Sequence, residues 1–430
     1  MSELSHYNPA WDQARARDGG AGRVLEDDSV LLATDFEGGN GAELRRIGPD
    51  HYAMRLETEP GEHAYSGNGY YLCFGVRNRR GAARTIRVRV QAPTKPEWRW
   101  AAQMRHMVLR RGGEWSQLDP EAIVPVEGAG DTVDIEVPLA GIGETDGVVF
   151  VSNYHWWPYS EAVEWPRGLP AERARVSEVG RSFQGRAIYA VEIGGAGKPH
   201  SGDGGAASVR RTRAEDGPED AGDAPCMVHT QTTQPSEMGS LACRGMVDHL
   251  CSDDPDAAEI RRRFRTCFIP MTNPDGTVLG YGVSDGQGRF PTFEGHLAAA
   301  GDANATPETA TVWRYLAERR PWLFWEWHSN HWSRRPGHML LRYRHELLED
   351  ERRRRVWDEL EERLLTLPDT HHGNWTSQTE GVYQTTMGFQ AVTRLGAISC
   401  MVKQHDKFPL AQSRDHAIEC LRHAAAAWRA

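Results

Sequence analysis

The stretch PETATVWRYLAERRPWLFWEWH (307–328) predicts a helix followed at once by a buried strand. A proline and a glutamate open the helical part, where apolar residues recur at helical spacing, and the apolar run that follows ends at His328. Further out, RAIYAVEIG and FRTCFIP are typical of strands, and MGSLACRGMVDHLCS is typical of a helix. Strands that alternate with such helices predict an α/β fold with a mixed, mostly parallel sheet flanked by helices.

The first part of the chain has a different pattern. Between residues 30 and 165, short runs alternate polar and apolar residues and are separated by Gly, Pro and Asn, which predicts an antiparallel β-sandwich. The sequence therefore predicts an N-terminal extension over 1–30, a β-sandwich domain over 31–168 and the α/β domain over 169–430. Within the last, the Gly- and charge-rich stretch 196–224 predicts a surface loop.

Composition limits the functions open to the protein. The 50 lysines and arginines stand against 60 aspartates and glutamates, a formal net charge of −10, which argues against a nucleic-acid partner. No run approaches the ~18 consecutive apolar residues of a membrane span, and the start lacks a signal-peptide pattern, so we expect a cytoplasmic protein without membrane contact. Seven scattered cysteines without a C-x-x-C pair predict reduced thiols.

Four short pieces of the α/β region hold polar residues suited to chemistry. They are VHTQTTQPSEMGS (228–240), IPMTNPDG (269–276), FWEWHSNHW (324–332) and AISCMVKQHDKF (397–408). The first three lie where a predicted strand ends, and open α/β sheets bind ligands beyond the C-terminal ends of their parallel strands. A structural alternative for the first piece is a helix start capped by Ser236, with Glu237 complementing the helix dipole.

The order of these pieces resembles the zinc metallocarboxypeptidase family, and within it the cytosolic carboxypeptidase subgroup. IPMTNPDG is similar to the family's P-x-x-NPDG turn, and VSEVGRSFQGR (176–186) is similar to the GRS turn before its first long strand. The resemblance covers about residues 176–425, and the N-terminal part is similar to the subgroup's accessory domain. It implies a carboxypeptidase-like fold and cleavage of a peptide or amide bond by a zinc-activated water.

The resemblance also implies one bound zinc ion. Carried over by position, its ligands are Gln234, Glu237 and His328. Gln234 stands where the family has a histidine, and a neutral amide oxygen is a poorer zinc ligand than an imidazole. His229, five residues before Gln234, is an alternative ligand that requires a rebuilt turn.

The general base departs from the family as well. The register from Ser399 on the last strand places Met401 where the family has a glutamate, and a thioether cannot accept a proton near neutral pH. Lys403 lies on the same face of the strand and is the candidate catalytic residue, provided that burial lowers its pKa. His405 and Asp406 are alternative bases just beyond.

Residues for the substrate are assigned more loosely. Val283 stands where the family has a first arginine, so Arg289 is the remaining candidate for binding a substrate carboxylate. An ion-paired surface arginine is the alternative for that residue. Asn330 and His331, after the strand, are candidate substrate-binding residues, and Tyr383 is matched by spacing to a catalytic tyrosine of the family.

Three functions follow from these assignments. The first, which the sequence favours, is a divergent zinc hydrolase that acts on a small peptide or an acylated amino acid, because Glu237 and His328 keep metal-ligand positions. The second is a catalytically inactive protein that binds a peptide or a small acidic ligand in the same cleft. The third is a metal-free lyase or transferase that uses Lys403 or Cys400.

Overall fold

The computed structural model describes residues 22–69, 71–93, 106–141, 148–195, 224–231, 233–330, 337–343, 345–372 and 381–428. The predicted surface loop, apart from residue 224, lies outside the described residues, and so does His331.

Eleven described strands precede the α/β region. They are β1 (Val24–Glu26), β2 (Val30–Ala33), β3 (Ala42–Gly48), β4 (His51–Arg55), β5 (Cys73–Asn78), β6 (Arg84–Gln91), β7 (Val108–Arg111), β8 (Glu114–Gln117), β9 (Ile123–Pro125), β10 (Thr132–Leu139) and β11 (Val148–Ser152). They form a six-stranded sheet, β1-β2-β5-β11-β7-β8, and a five-stranded sheet, β3-β4-β6-β10-β9. One hydrophobic core contains side chains of both sheets, as the predicted sandwich requires.

The sandwich differs from the prediction in two places. Strands β4 and β6 pair in parallel, whereas the other pairs of these two sheets are antiparallel. The chain passes through β5 in the opposite sheet between them, and such a crossover allows a parallel pair. Strand β1 lies within the stretch predicted as an extension, yet it pairs with β2.

The α/β region contains one eight-stranded sheet. Its strands are β12 (Ala174–Arg181), β13 (Ala187–Gly194), β14 (Cys226–Gln231), β15 (Arg265–Ile269), β16 (Leu323–Asn330), β17 (His338–Arg342), β18 (Thr370–His372) and β19 (Ile398–His405). The order is β12-β13-β15-β14-β16-β19-β17-β18. The four pairs β14/β15, β14/β16, β16/β19 and β17/β18 are parallel and the other three are antiparallel, so the predicted mixed, mostly parallel sheet is confirmed.

Helices cover both faces of this sheet. The described α-helices are α1 (Tyr159–Glu164), α2 (Gly239–Leu250), α3 (Pro255–Arg263), α4 (Pro274–Leu279), α5 (Gly295–Ala300), α6 (Pro307–Arg319), α7 (Glu351–Leu365), α8 (Met387–Leu395) and α9 (Leu410–Ala427). Helices α2, α3, α7 and α9 pack with Trp325 and Trp327 in one core, and α6 and α8 pack with Phe324 in another. Successive residues of a strand point to opposite faces, so β16 contributes to both cores.

The stretch over residues 307–328 folds as its pattern indicates. The Thr306 hydroxyl accepts the Thr309 N–H at 3.3 Å, and Pro307 occupies the first turn of α6, where no N–H is needed. The helix buries Val312 and Leu316 against the sheet before the chain enters β16. Together these contacts place His328 near the C-terminal end of β16, a central strand of the sheet.

The sandwich packs directly against a loop of the α/β region. The buried Glu59 carboxylate accepts the Gly282 N–H at 2.5 Å, the Ser284 N–H at 3.1 Å and the Ser284 hydroxyl at 2.6 Å. The Asn40 amide donates to the carbonyl of Gly280 at 2.9 Å. The loop over residues 280–284 is therefore held by hydrogen bonds from the sandwich rather than by its own region alone.

The thiols and the helices agree with the composition. All seven cysteines lie in the described part of the chain and none forms a disulfide; six are buried and Cys251 is half-buried. Within the described residues, no helix is long and apolar enough to cross a membrane.

Candidate functional site

Glu237 and His328 meet at the C-terminal edge of the sheet. The Nδ1 atom of His328 lies 3.0 Å from Oε2 of Glu237, and their side chains are 1% and 3% exposed. Oε2 also accepts the Ser329 N–H at 2.8 Å. Neither nitrogen of His328 has an aligned hydrogen-bond partner among the described residues. The carboxylate and the imidazole therefore lie side by side, although ninety-one positions separate them in the chain.

The turn that carries Glu237 is fixed by the strands around it. The Gln231 amide donates to the carbonyls of Pro235 and Glu237, both at 3.3 Å. The Met238 N–H donates to the Ser329 hydroxyl at 2.9 Å, which joins the turn to β16. The Ser236 hydroxyl donates to the Gly282 carbonyl at 3.1 Å instead of capping a helix. The alternative of a Ser236 cap is therefore wrong: α2 begins at Gly239, and the residue before it, Met238, makes no side-chain capping hydrogen bond.

The two motifs that suggested the fold meet each other in the structure. Asp275 of NPDG is fully buried, and its carboxylate accepts the Ser182 hydroxyl at 2.6 Å, the Gln184 N–H at 2.7 Å and the Arg186 guanidinium at 2.7 Å. Asn273 caps α4 and donates to the carbonyls of Thr233 and Ser284. We call the set Ser182, Gln184, Arg186, Asn273 and Asp275 the motif junction. It supports the site without entering it.

The strand register places a lysine beside the pair. Lys403 of β19 is the cross-strand partner of His328, and Met401 is the partner of Glu326, two residues earlier. Paired residues of adjacent strands share a face of the sheet, so the side chain beside His328 is that of Lys403 and not that of Met401. Counted from Ser399, the position of the family's general base falls on Met401, which pairs with Glu326 and lies two residues before Lys403 on the same strand. We call Glu237, Glu326, His328 and Lys403 the charge cluster.

Burial and charge set the ionisation of this cluster. Burial favours the neutral form of Glu237, but the neighbouring His328, the charge of Lys403 and the Ser329 N–H outweigh it and lower the pKa of this carboxyl. Burial lowers the pKa of His328 more than Glu237 raises it. Burial raises the pKa of Glu326 to about 7, against the effects of the Gly388 N–H and Lys403. The pair is therefore a carboxylate beside a neutral imidazole at neutral pH.

Gln234 and His229 are the other residues considered for a metal. Gln234 is buried, and its backbone carbonyl accepts the Glu237 N–H at 3.3 Å within the turn, so its role as a ligand stays a prediction. His229 lies in the core with Phe268 stacked on its ring, and its Nδ1 accepts the Trp327 indole N–H at 3.4 Å. It shares the face of Trp327, opposite to the face of His328, so the alternative of His229 as a ligand is wrong.

Aromatic side chains from both regions pack on one another near the charge cluster. Tyr65 of the sandwich packs edge-on against Phe290 with ring centroids 5.2 Å apart, and Tyr383 packs edge-on against Phe293 at 5.9 Å. Burial and the charge of Glu237 raise the pKa of Tyr65, and burial and Tyr65 raise the pKa of Tyr383. Tyr65 therefore lies near the charge cluster. Sequence reasoning missed it, because nothing local in residues 59–69 links them to the α/β region.

The assigned substrate residues have mixed outcomes. The Arg289 guanidinium forms an ion pair with Glu294 at 2.6 Å and donates to the Asn304 carbonyl, so the alternative of an ion-paired arginine describes it. Asn330 is the last residue of β16, and its side chain, like the whole of His331, lies outside the described residues. Their roles in binding remain predictions. Cys400 is fully buried and burial raises the pKa of its thiol, which argues against a nucleophile there.

Comparisons with known proteins agree with this architecture. Residues 168–289 match the sequence model of the family described as zinc carboxypeptidase. Human cytosolic carboxypeptidase 2 is 22% identical over 276 residues, which are 59% of this chain and 28% of the human protein; the mouse protein is also 22% identical, over 59% of this chain and 29% of its own length. The chain thus spans about three tenths of the length of these relatives.

Solved structures extend the likeness to the sandwich. The metallo-carboxypeptidase from Burkholderia cenocepacia superimposes with a TM-score of 0.70 at 16% identity, over 93% of this chain and 98% of its own. That from Pseudomonas aeruginosa, in complex with (2-guanidinoethylmercapto)succinic acid, gives 0.67 at 14% identity, over 92% and 98%. Residues 168–289 are thus similar in sequence to zinc carboxypeptidases, and the chain has the fold of metallocarboxypeptidases over most of its length.

The residues present fit a catalytic zinc ion poorly. Such a site takes three protein ligands and keeps one position for water. Glu237 and His328 would be two of the ligands, but the residue that the resemblance assigns to the third position, Gln234, offers only a neutral amide. No group of three or more His, Cys, Asp or Glu side chains suited to a metal occurs in the described part of the chain. The neighbouring ammonium of Lys403 adds a positive charge that opposes a second cation.

Proposed function

We propose that this chain is a carboxypeptidase-fold protein that binds a peptide or a small acidic ligand in its cleft and needs no metal to do so. The observation that carries the proposal is the pairing of Lys403 with His328 on adjacent strands. In this register the residue of β19 beside His328 is a lysine and not a carboxylate base. Hydrolysis by a metal-bound water requires both a metal and a base.

The aromatic side chains near the charge cluster support a binding role. Tyr65, Tyr383, Phe290 and Phe293 offer aromatic surface with two phenol groups, which suits a ligand with an apolar body and a few polar groups. The Pseudomonas aeruginosa relative holds a compound that carries two carboxylates and a guanidine group. A ligand with a carboxylate is therefore the natural first candidate for this chain. A cytoplasmic location, as in the name of the curated relatives, is part of the proposal.

Binding and hydrolysis can be separated in one experiment. A fluorescein-labelled hexapeptide with a free C-terminal carboxylate is titrated with the protein in EDTA and again with added zinc, and the peptide is then analysed by mass spectrometry. We expect saturable binding in EDTA, the same affinity with zinc, and an intact peptide after a day. Zinc-dependent shortening of the peptide would overturn the proposal, and so would an affinity that disappears in EDTA.

A divergent zinc hydrolase is the second candidate, and one observation favours it. Nδ1 of His328 and Oε2 of Glu237 approach to 3.0 Å, yet neither nitrogen of His328 has an aligned hydrogen bond among the described residues. An imidazole nitrogen and a carboxylate oxygen so placed are typical of side chains that coordinate the same cation. In this alternative Gln234, Glu237 and His328 would hold one zinc ion, which would supply an activated water, and Lys403 and Tyr383 would be the catalytic residues.

The metal content of the protein tests this second candidate. Purification with added zinc should then yield about one ion per chain by elemental analysis, and zinc titration should raise the melting temperature. Hydrolysis of the hexapeptide should be lost in Glu237→Gln. A metal-free protein whose melting temperature zinc does not change would exclude it.

A further inference from the structure

The charge cluster differs from a metal site because the group beside the Glu237–His328 pair, Lys403, is positively charged. Lys403 and His328 are partners on adjacent parallel strands, which lie about 4.8 Å apart. Lys403 is half-buried, whereas Glu237, Glu326 and His328 are buried. A lysine has four methylene groups, so its ammonium can reach the space in front of the pair from this position.

Charge balance decides what that space accepts. The charge cluster already holds a cationic side chain, Lys403, beside its two buried carboxyl groups, Glu237 and Glu326. A divalent cation in front of the Glu237–His328 pair would add two positive charges next to that ammonium in a largely buried site. Charges of the same sign a few ångströms apart repel strongly where water is partly excluded. The lysine therefore disfavours a divalent cation at this position.

Lys403 has no carboxylate within contact distance among the described residues. The strand register places the side chain on the face of the sheet that carries Glu326 and His328, and it is half-buried there. An ammonium that makes no ion pair with a described carboxylate is suited to binding a ligand's carboxylate, because hydrogen bonds to charged groups are the stronger ones. Glu237 on the other side favours a ligand that also carries a positive or a neutral polar group.

We propose that Lys403 converts a cation site into an anion site: its ammonium binds the carboxylate of the ligand and excludes a divalent metal ion from Glu237 and His328. This inference rests on the proposed function for its ligand but not for its effect on metal binding. The ligand class is an amino acid or a peptide end with a free carboxylate. Nothing covalent takes place in the cleft.

Two arms test the inference. In the ligand arm, the labelled hexapeptide and its C-terminally amidated form are titrated against the wild type, Lys403→Met, Lys403→Arg and the exposed control Lys407→Met. We expect Lys403→Met to bind the free-carboxylate peptide roughly tenfold or more weakly, to bind the amidated peptide as the wild type does, and Lys403→Arg to keep most of the affinity. Lys407→Met should behave like the wild type.

The metal arm uses zinc alone and needs no ligand. Isothermal titration compares the wild type, Gln234→His, Lys403→Glu and the variant that carries both changes, each in a buffer without chelator. The double variant should bind one zinc ion roughly 100-fold more tightly than Gln234→His alone, because a repulsive charge has become an attractive one. Circular dichroism checks that each variant is folded. Lys403→Arg, titrated with zinc alongside them, should remain without zinc binding.

The outcomes separate this inference from the proposed function. If neither peptide binds any variant, the proposed function fails, and the metal arm alone still decides the role of Lys403. If the free and amidated peptides bind equally to the wild type and to Lys403→Met, the inferred anion site is overturned. Tight zinc binding by the wild type, unchanged in Lys403→Glu, would overturn the exclusion of metal.

Discussion

The motif junction and the charge cluster lie close together in the same sheet region, but they differ in how completely their polar groups are satisfied. Asp275 accepts three hydrogen bonds at 2.6–2.7 Å from Ser182, Gln184 and Arg186. His328, by contrast, has no aligned hydrogen bond among the described residues. The junction is a closed network, whereas the charge cluster keeps a buried imidazole whose nitrogens make no aligned hydrogen bond within the described part of the chain.

This difference separates what holds the fold from what interacts with a ligand. A buried carboxylate with all its partners fixes the geometry of two loops, and a substitution there has to be compensated within the protein. The charge cluster has a lysine beside the pair, which on our proposal changes the ligand that it accepts while the sheet stays the same. The sequence motifs that resemble the family lie in the junction, whereas the proposed ligand chemistry lies in the charge cluster.

The largest effect is expected where the junction is broken. Asp275→Ala removes the carboxylate partner of the largely buried Arg186 guanidinium and the acceptor of the Ser182 hydroxyl, so the free energy of unfolding should fall by about 3–5 kcal/mol. Urea denaturation measures it. Arg181→Ala is the control, since its ion pair with Glu178 is exposed and should contribute at most about 1 kcal/mol. A loss for Asp275→Ala no larger than that of the control would contradict the closed network.

A buried acid near the junction should make stability depend on pH. Burial, with the charges of Asp285 and Asp275, raises the pKa of Glu308 to about 7 from 4.5, and its Oε2 has no hydrogen-bond partner among the described residues. The folded state thus binds the proton more tightly than the unfolded state. This contribution is complete below pH 4.5 and is lost as the pH rises through about 7.

Glu308→Gln removes that titration. The stability of the wild type relative to this variant should fall by about 3 kcal/mol between pH 4.5 and pH 8, because one pKa unit corresponds to about 1.4 kcal/mol. Chemical denaturation across this range measures the difference. Glu318→Gln, on the exposed side of the same helix, is the control and should stay within about 0.5 kcal/mol of the wild type. A pH-independent difference for Glu308→Gln would refute the prediction.

A smaller effect is expected where the turn of the charge cluster meets β16. A Cβ atom on Gly239 would lie 2.1 Å from the carbonyl oxygen of Trp327, so Gly239→Ala has to displace backbone. We expect a loss of about 1–3 kcal/mol in the free energy of unfolding and weaker binding in the cleft, since Glu237 is two residues away. Gly168→Ala is the control, with nothing within 4 Å of its Cβ. Equal behaviour of the two variants would show that the turn adapts freely.

The smallest effect tests the prediction that Arg289 binds a substrate carboxylate. Arg289 is paired with Glu294 and is a third exposed, so Arg289→Ala should cost at most about 1 kcal/mol in stability. The affinity for the free-carboxylate hexapeptide should change less than about threefold, because the guanidinium already has a partner. A loss of affinity as large as that of Lys403→Met would move the anion site from the charge cluster to Arg289.

Sequence patterns predicted the elements well where the pattern was local. The run TVDIEVPL became β10 over Thr132–Leu139, the PE helix became α6, and WLFWEWH became the start of β16. The meeting of Glu237 and His328 was also expected, but from family resemblance. Alternation and helical spacing depend on a residue's near neighbours, so they are readable in one dimension.

Other features required contacts between distant residues. Strand register cannot be read from a single strand. A shift of the pairing between β16 and β19 by two residues decides whether Met401 or Lys403 lies beside His328. The parallel pairing of β4 with β6 depends on a crossover through the opposite sheet. Tyr65 approaches Glu237 only because the sandwich packs on the loop over residues 280–284.

By itself, then, the sequence determined the layered α/β fold, the sandwich before it and the two residues of the buried pair. Hydrophobic periodicity and turn chemistry are local, and a motif retains its order along the chain. Only the tertiary structure decided which charge faces the pair and which region supplies the aromatic wall. Those depend on register and domain packing, where side chains far apart in sequence come within a few ångströms and water no longer screens them.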